Sequence, residues 1–205
     1  MTMLNQSNLV KEAWNMAKFG DDKGLLLILD TKKVDANAKI YQPNIDPQSL
    51  LQIAAFSNSL KCMECLIQHD ADVNSRNFNG YNPLHFAAYA GHSEGIQLLL
   101  SKKANISSKT IDGKTALHIA AGRGHFSAVE TLIKNKAPID ACDSEGSTPL
   151  FDALIGNHMK IAKLLINSGA DLYHMNGNKL TPSLVATNFQ RQWFFEPNFQ
   201  IPAQD

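Results

Sequence analysis

The stretch Asn79-Gly80-Tyr81-Asn82-Pro83-Leu84-His85-Phe86-Ala87-Ala88 holds a turn, a helix cap and the start of a helix in immediate succession. Asn-Gly is a tight-turn pair, because glycine accepts a positive φ without steric cost. Asn82 can cap a helix that Pro83 opens, since the N–H that proline lacks would be unpaired in the first turn anyway. Leu84, Ala87 and Ala88 then share one helical face at i, i+3 and i+4. The two small alanines let a neighbouring helix approach closely, and Gly91 is placed to end the helix. Ile96, Leu98, Leu99 and Leu100 predict a second helix, after which Ala104-Asn105-Ile106 leads to the next turn.

The pattern returns along the chain. Gly80, Gly113 and Gly146 recur every 33 residues, as do Leu51, Leu84, Leu117 and Leu150. Pro83, Ala116, Pro149 and Pro182 share that interval, and so do Ala54, Ala87, Ala120, Ala153 and Ala186. The register divides the chain into units 44–76, 77–109, 110–142 and 143–175, with a partial or capping unit and an aromatic tail at 176–205. Ala17-Lys18-Phe19-Gly20-Asp21, the run Leu25-Leu26-Leu27-Ile28-Leu29 and Val34-Asp35-Ala36-Asn37 make 1–43 a degenerate N-terminal capping repeat, with surplus residues near Ala38–Pro47 predicting an enlarged loop. A helix pair this short cannot bury its apolar face alone. Stacking on neighbours does so, which gives a quasi-one-dimensional solenoid.

Composition narrows the function. The chain has 205 residues, with 19 Lys plus Arg against 19 Asp plus Glu, for a formal net charge of zero. A dedicated nucleic-acid binder would show a basic footprint. The longest aliphatic run, Leu25–Leu29, is far short of the ~20 residues that span a bilayer, so no membrane insertion is expected. Met1-Thr2-Met3-Leu4-Asn5-Gln6 lacks the basic and apolar regions of a signal peptide, and three cysteines cannot pair completely. A soluble, reduced, cytoplasmic protein is the expectation.

Motifs that could carry chemistry dissolve into the repeat. Cys62-Met63-Glu64-Cys65 has C-x-x-C spacing, but both cysteines fall in a second helix and Cys65 stands where Leu98 stands one unit later. Cys142 lies in a turn more than two units away, so no four-ligand zinc shell is in sight. Asp112-Gly113-Lys114-Thr115 looks like the end of a phosphate-binding loop, yet Ser108 stands where the upstream glycine is required. His85 and His118 share one repeat position, and His92, His125 and His158 another, while His69 and His174 are left over as surface residues. No catalytic, cofactor or metal residue is assigned. A metal-dependent enzyme is the remote alternative.

These residues resemble the ankyrin repeat family. Its Thr-Pro-Leu-His opening appears as Asn82-Pro83-Leu84-His85, Thr115-Ala116-Leu117-His118, Thr148-Pro149-Leu150-Phe151 and Thr181-Pro182-Ser183-Leu184. Ala71-Asp72-Val73-Asn74 and Gly169-Ala170-Asp171-Leu172 match its closing segment. The resemblance implies an all-α solenoid of about five to six helix-turn-helix repeats with β-turn or hairpin tips. It also implies that the five register histidines hydrogen-bond neighbouring backbone. Departures are Ser49-Leu50-Leu51-Gln52 at one helix opening, Phe151 in place of His, and no second-helix leucine cluster in the last unit. Asn74 matches an asparagine that hydroxylases modify in some family members.

The resemblance further implies that partners dock on a concave face built from turn tips and first helices. On that face the register places Tyr81, Tyr89 and Arg123, with Lys114, Phe78, Phe56, Ile111 and Ile155, as partner-binding candidates. Tyr and Arg are the residue types that dominate binding energy at interfaces. Phe56 and Phe78 can equally fill gaps between units. Trp193, Phe194, Phe195 and Phe199 read as a cap over the last unit or as a docking segment, and Leu9, Val10, Trp14 and Met16 as a cap at the other end. The expected function is non-enzymatic: a monomeric protein–protein interaction module that acts as adaptor or stoichiometric inhibitor on another protein. The alternative is a bacterial effector, delivered into a host cell to bind a host protein, which an Asn- and Lys-rich composition suggests.

Overall fold

The computed structural model describes residues 3–42 and 45–188. Eleven helices among them form two layers. The inner layer is α1 (Met3–Phe19), α3 (Leu50–Phe56), α5 (Pro83–Ala90), α7 (Ala116–Gly122), α9 (Pro149–Ile155) and α11 (Pro182–Asn188). The outer layer is α2 (Asp22–Asp30), α4 (Leu60–Gln68), α6 (Ser93–Ser101), α8 (Phe126–Lys134) and α10 (Met159–Asn167). Successive inner helices pack on one another, and each inner helix but α11 packs on the outer helix of its own unit. One hydrophobic core runs the length of the stack, from Ala13 and Leu25 to Val185 and Ala186.

The alanine pairs make this spacing possible. Ala54, Ala55, Ala87, Ala88, Ala120 and Ala121 are all fully buried between inner helices, while Leu51, Leu84, Leu117 and Leu150 fill the space between layers. Burying one such leucine contributes on the order of 2 kcal/mol.

Tips join the units a second time. Within each tip the first residue bonds across the turn, as Thr110 N–H does to the Lys114 carbonyl at 2.9 Å. Between tips, the N–H of Ile111 donates to the Asn79 carbonyl (3.0 Å), Ser144 to Asp112 (2.9 Å) and Gly177 to Glu145 (2.8 Å). Gly80 and Gly113 have φ of +80° and +76°, and a Cβ on either would lie within 2.9 Å and 2.6 Å of the next tip's backbone nitrogen. Glycine is required there by conformation and by space alike.

The enlarged loop expected near Ala38–Pro47 is instead a two-stranded antiparallel hairpin, β1 (Lys39–Gln42) and β2 (Ile45–Ser49), with Lys39 opposite Ser49 and Ile40 opposite Gln48. Surplus residues need not be irregular when their backbone groups can pair with each other. The hairpin joins the row of tips in register. Asp46 supplies its carboxylate in place of a tip carbonyl and accepts the N–H groups of Phe78 (3.0 Å) and Asn79 (2.9 Å).

The helix openings show why the repeat carries His at its fourth position. Asn82 Oδ1 accepts from His85 N–H, and His85 Nδ1 accepts from Asn82 N–H, so each end of the cap serves the other. His85 Nε2 then donates to the Ser108 carbonyl of the following loop at 3.0 Å. Thr115 and His118 repeat the arrangement, with His118 Nε2 reaching the Ser147 carbonyl at 3.0 Å. Ser49 and Gln52 do the same with an amide, whose Nε2 reaches the carbonyls of Ser75 and Tyr81. Thr148 lacks the arrangement because Phe151 has no polar atom to return, and the buried Thr148 hydroxyl is without a hydrogen-bond partner. The outer-helix histidines also brace neighbouring units. His92 reaches the Phe56 carbonyl, His125 that of Tyr89 and His158 that of Gly122, at 3.0, 3.0 and 3.1 Å.

Because Nδ1 of His85 and His118 accepts a backbone proton, both rings are neutral in the folded state. Burial pushes His85 down to about 4 and lowers His118 as well. The unfolded chain would protonate both near the ordinary value of about 6.5. Stability is therefore complete above that value and falls as pH drops toward 4, by roughly 3 kcal/mol at pH 4 for His85 alone. His69, raised by the Cys65 carbonyl and then by Asp30, has the opposite sign: its contribution is present in acid and lost as pH rises through its folded value. It is far less buried than His85, so the inner-helix pair dominates. Urea unfolding midpoints measured from pH 7.5 to 4.5 are expected to fall steadily, and His85→Gln is expected to flatten that slope. A flat profile for the parent chain would contradict the buried, neutral assignment.

Candidate binding surface

The tips and the C-terminal ends of the inner helices form one face. On it Phe56 from α3, Phe86 and Tyr89 from α5 and Tyr81 from the intervening tip form a continuous row of rings. Tyr89 and Phe56 are 6.2 Å apart between centroids, Phe56 and Phe86 6.5 Å, and Phe86 and Tyr81 5.9 Å. These are tilted and edge-to-face contacts, the favoured geometry for aromatic pairs. The Arg123 guanidinium, just past α7, lies over Tyr89 with its carbon 3.5 Å from the ring centroid. A shallow depression of about 440 Å³ runs along the row, bordered by Gln48, Asn77 and Asn79. It continues past Phe56 and Phe86 into a groove of about 280 Å³ between α1 and the hairpin, lined by Trp14, Lys18, Ile40, Asp46, Gln48 and Ile53.

The residues selected from the register divide into three groups. Tyr81, Tyr89, Phe56 and Arg123 are brought together. Phe56 is 40% exposed, so it borders solvent as well as neighbouring rings. Phe78, Ile111 and Ile155 stand apart from the row at 71%, 68% and 64% exposure, as isolated apolar side chains on tips and a helix end. Lys114 is engaged within the fold: its ammonium bonds Asp152 at 2.8 Å and lies 3.8 Å from Asp143. Burial alone would lower its pKa, but the hydrogen bond and charge of Asp152, with Asp143, more than offset that and raise it.

Phe86, Gln48 and the α1–hairpin groove were not anticipated. Phe86 sits at the position that is Ile119 one unit later, so its period marks it as an ordinary helix residue. Only the hairpin's placement beside α3 makes its ring part of a groove. His69 and His174, read as surface residues, are partly exposed and hydrogen-bonded. His69 bridges the Cys65 carbonyl (2.8 Å) and Asp30 (3.0 Å), and His174 donates to the Gly146 carbonyl (3.0 Å) beside the Cys142 sulfur (3.4 Å). His69 is thereby tied to the preceding unit through Asp30, and His174 to the tip of its own unit through the Gly146 carbonyl.

Cys62 and Cys65 are buried in the core, and burial pushes the Cys62 thiol up to about 11. Among the described residues no three His, Cys, Asp or Glu side chains converge as a metal site. No described helix is long and apolar enough to cross a membrane. Asn74 Oδ1 accepts the Asn105 N–H of the next unit at 2.8 Å, which is a structural use of that amide. Leu9, Val10, Trp14 and Met16 pack against the core on α1, whereas the Trp193–Phe199 segment lies outside the described residues.

The family model described as Ankyrin repeats (3 copies) matches residues 14–110 and 104–176. The chain belongs to the ankyrin repeat family. A comparison with curated proteins finds no match. The ankyrin match begins inside α1. It stops before α11, where the family's second-helix leucines are missing.

Lys114 offers a direct check on the division drawn within this ankyrin face. Lys114→Met is expected to destabilise the fold by about 1–2 kcal/mol, less than for a fully buried pair because the lysine is partly solvated. The loss would appear in urea unfolding at pH 7 and be partly restored by adding Asp152→Asn. An unchanged midpoint would show that the ammonium is free for a partner.

Proposed function

We infer that this ankyrin array is a protein-interaction module. It acts without catalysis, as an adaptor or stoichiometric inhibitor that occupies a surface of another protein with the face carrying Tyr81, Tyr89, Phe56 and Arg123. The observation that carries this reading is the contiguous row of aromatic rings bordered by Arg123. Soluble proteins seldom leave rings clustered in the open, and clusters of Tyr, Phe and Arg dominate binding energy where they occur at interfaces. Phe78, Ile111 and Ile155 are peripheral contacts in this reading, and Lys114 shapes the face from beneath. The scaffold is rigid before binding, because tips, alanine contacts and histidine bonds fix each unit against the next. Little ordering cost remains for complex formation.

The test is a pull-down with mass spectrometry, run beside the triple variant Tyr81→Ala, Tyr89→Ala, Arg123→Ala. All three side chains are solvent-bordering, so the variant should still unfold cooperatively. The expected result is a protein captured by the parent chain and lost by the variant. Capture that survives the variant would move the working surface elsewhere.

A further inference from the structure

Arg123 is the one charged candidate whose polar groups are unused. Its guanidinium lies over Tyr89 at 3.5 Å, and among the described residues no hydrogen bond or ion pair is made to its side chain. A guanidinium stacked on a ring keeps its N–H donors around its edge, in the fork that matches a carboxylate. The stacking also removes part of the rotamer freedom that a free arginine would lose on binding.

The charges around the row give it polarity. Asp46 has both carboxylate oxygens committed to the Phe78 and Asn79 N–H groups, and Lys114 is held by Asp152. Asp112 lies near Tyr81, at the tip, and disfavours a second acid there. Lys18, the other cation at the groove, lies over Trp14 and Phe19, so along the row of rings itself the position that favours an anion is the Arg123 end, beside exposed edges of Tyr89 and Phe56.

We propose that Arg123 is a carboxylate receptor at one end of an aromatic trough, and that the trough takes a segment of another protein in which large apolar side chains lie beside an aspartate or glutamate. The inference rests on the binding-face reading above and names the chemistry of its partner. The apolar side chains cover Phe56 and Phe86, and the acid meets the edge of the Arg123 guanidinium.

The test is selection of a displayed library of random 12-residue peptides on the full-length chain. Enriched peptides should carry Asp or Glu within a few residues of aromatic or aliphatic side chains. One of them, synthesised, should bind about ten-fold more weakly after its acid is replaced by the amide, and about ten-fold more weakly to Arg123→Gln. The two changes together should cost no more than either alone, since both remove the same contact. A merely structural arginine would not show that coupling.

Enrichment that depends on Tyr81 and Tyr89 but shows no acidic bias, or independent losses in the cycle, would overturn the carboxylate inference and leave the binding face standing. Enrichment that ignores those tyrosines, or none at all, would overturn both. Two other occupants are distinguishable. Tighter peptide binding by a full-length Trp193→Ser, Phe194→Ser, Phe195→Ser variant would mean that the chain's own tail fills the trough. Concentration-dependent dimerisation abolished by Arg123→Gln would mean that a second copy does. Either result overturns the proposal.

Discussion

The bond from each tip to the next, N–H of Ile111 to Asn79, Ser144 to Asp112 and Gly177 to Glu145, sets the geometry on which the rest depends. It brings one backbone within hydrogen-bonding distance of the next at the edge of the stack. Inside the stack the alanine pairs permit the same close approach between inner helices. Two contacts of different kinds, one polar and one apolar, therefore demand the same rise per unit. A residue that changed either spacing would strain the other, which is why glycine recurs at the tips and alanine in the helices.

The histidines convert that stacking into a polar network. A buried imidazole has one acceptor and one donor when neutral. Here the acceptor closes a helix cap and the donor reaches the next loop, so no ring nitrogen is left unpaired. The fourth opening shows the arrangement by its loss: Phe151 fills the volume but leaves the Thr148 hydroxyl without a partner. Asp46 shows the opposite case. A side-chain carboxylate in the hairpin continues a row of contacts made elsewhere by backbone carbonyls, and so fastens the insertion to the repeat that follows.

Function follows from what the stack leaves uncovered. The units are joined at the tips by backbone groups and inside the stack by the alanine contacts, so side chains that point outward from the tips and inner-helix ends are free to vary. In this chain the N-terminal half of that face carries rings, and the C-terminal half carries single aliphatic residues and the Lys114–Asp152 pair. The hairpin and α1 deepen the aromatic half with Trp14, Ile40 and Gln48. The asymmetry gives the array one end with clustered rings and another occupied with its own charges.

The sequence by itself determined the repeat, its helix openings, the tip glycines and the burial of the alanine and leucine positions, because these are periodic and each unit meets the same kind of neighbour at the same spacing. It also placed Tyr81, Tyr89, Phe56 and Arg123 on one face, since a register names which positions point outward. The tertiary structure alone decided that surplus residues near Ala38–Pro47 fold as a hairpin, that Phe86 joins the row of rings, and that Lys114 is bound by Asp152 while Arg123 is not. Those outcomes depend on contacts between side chains of different units and of an insertion that has no period. A repeat pattern fixes where a side chain starts, but which neighbour it meets depends on the distances that packing sets.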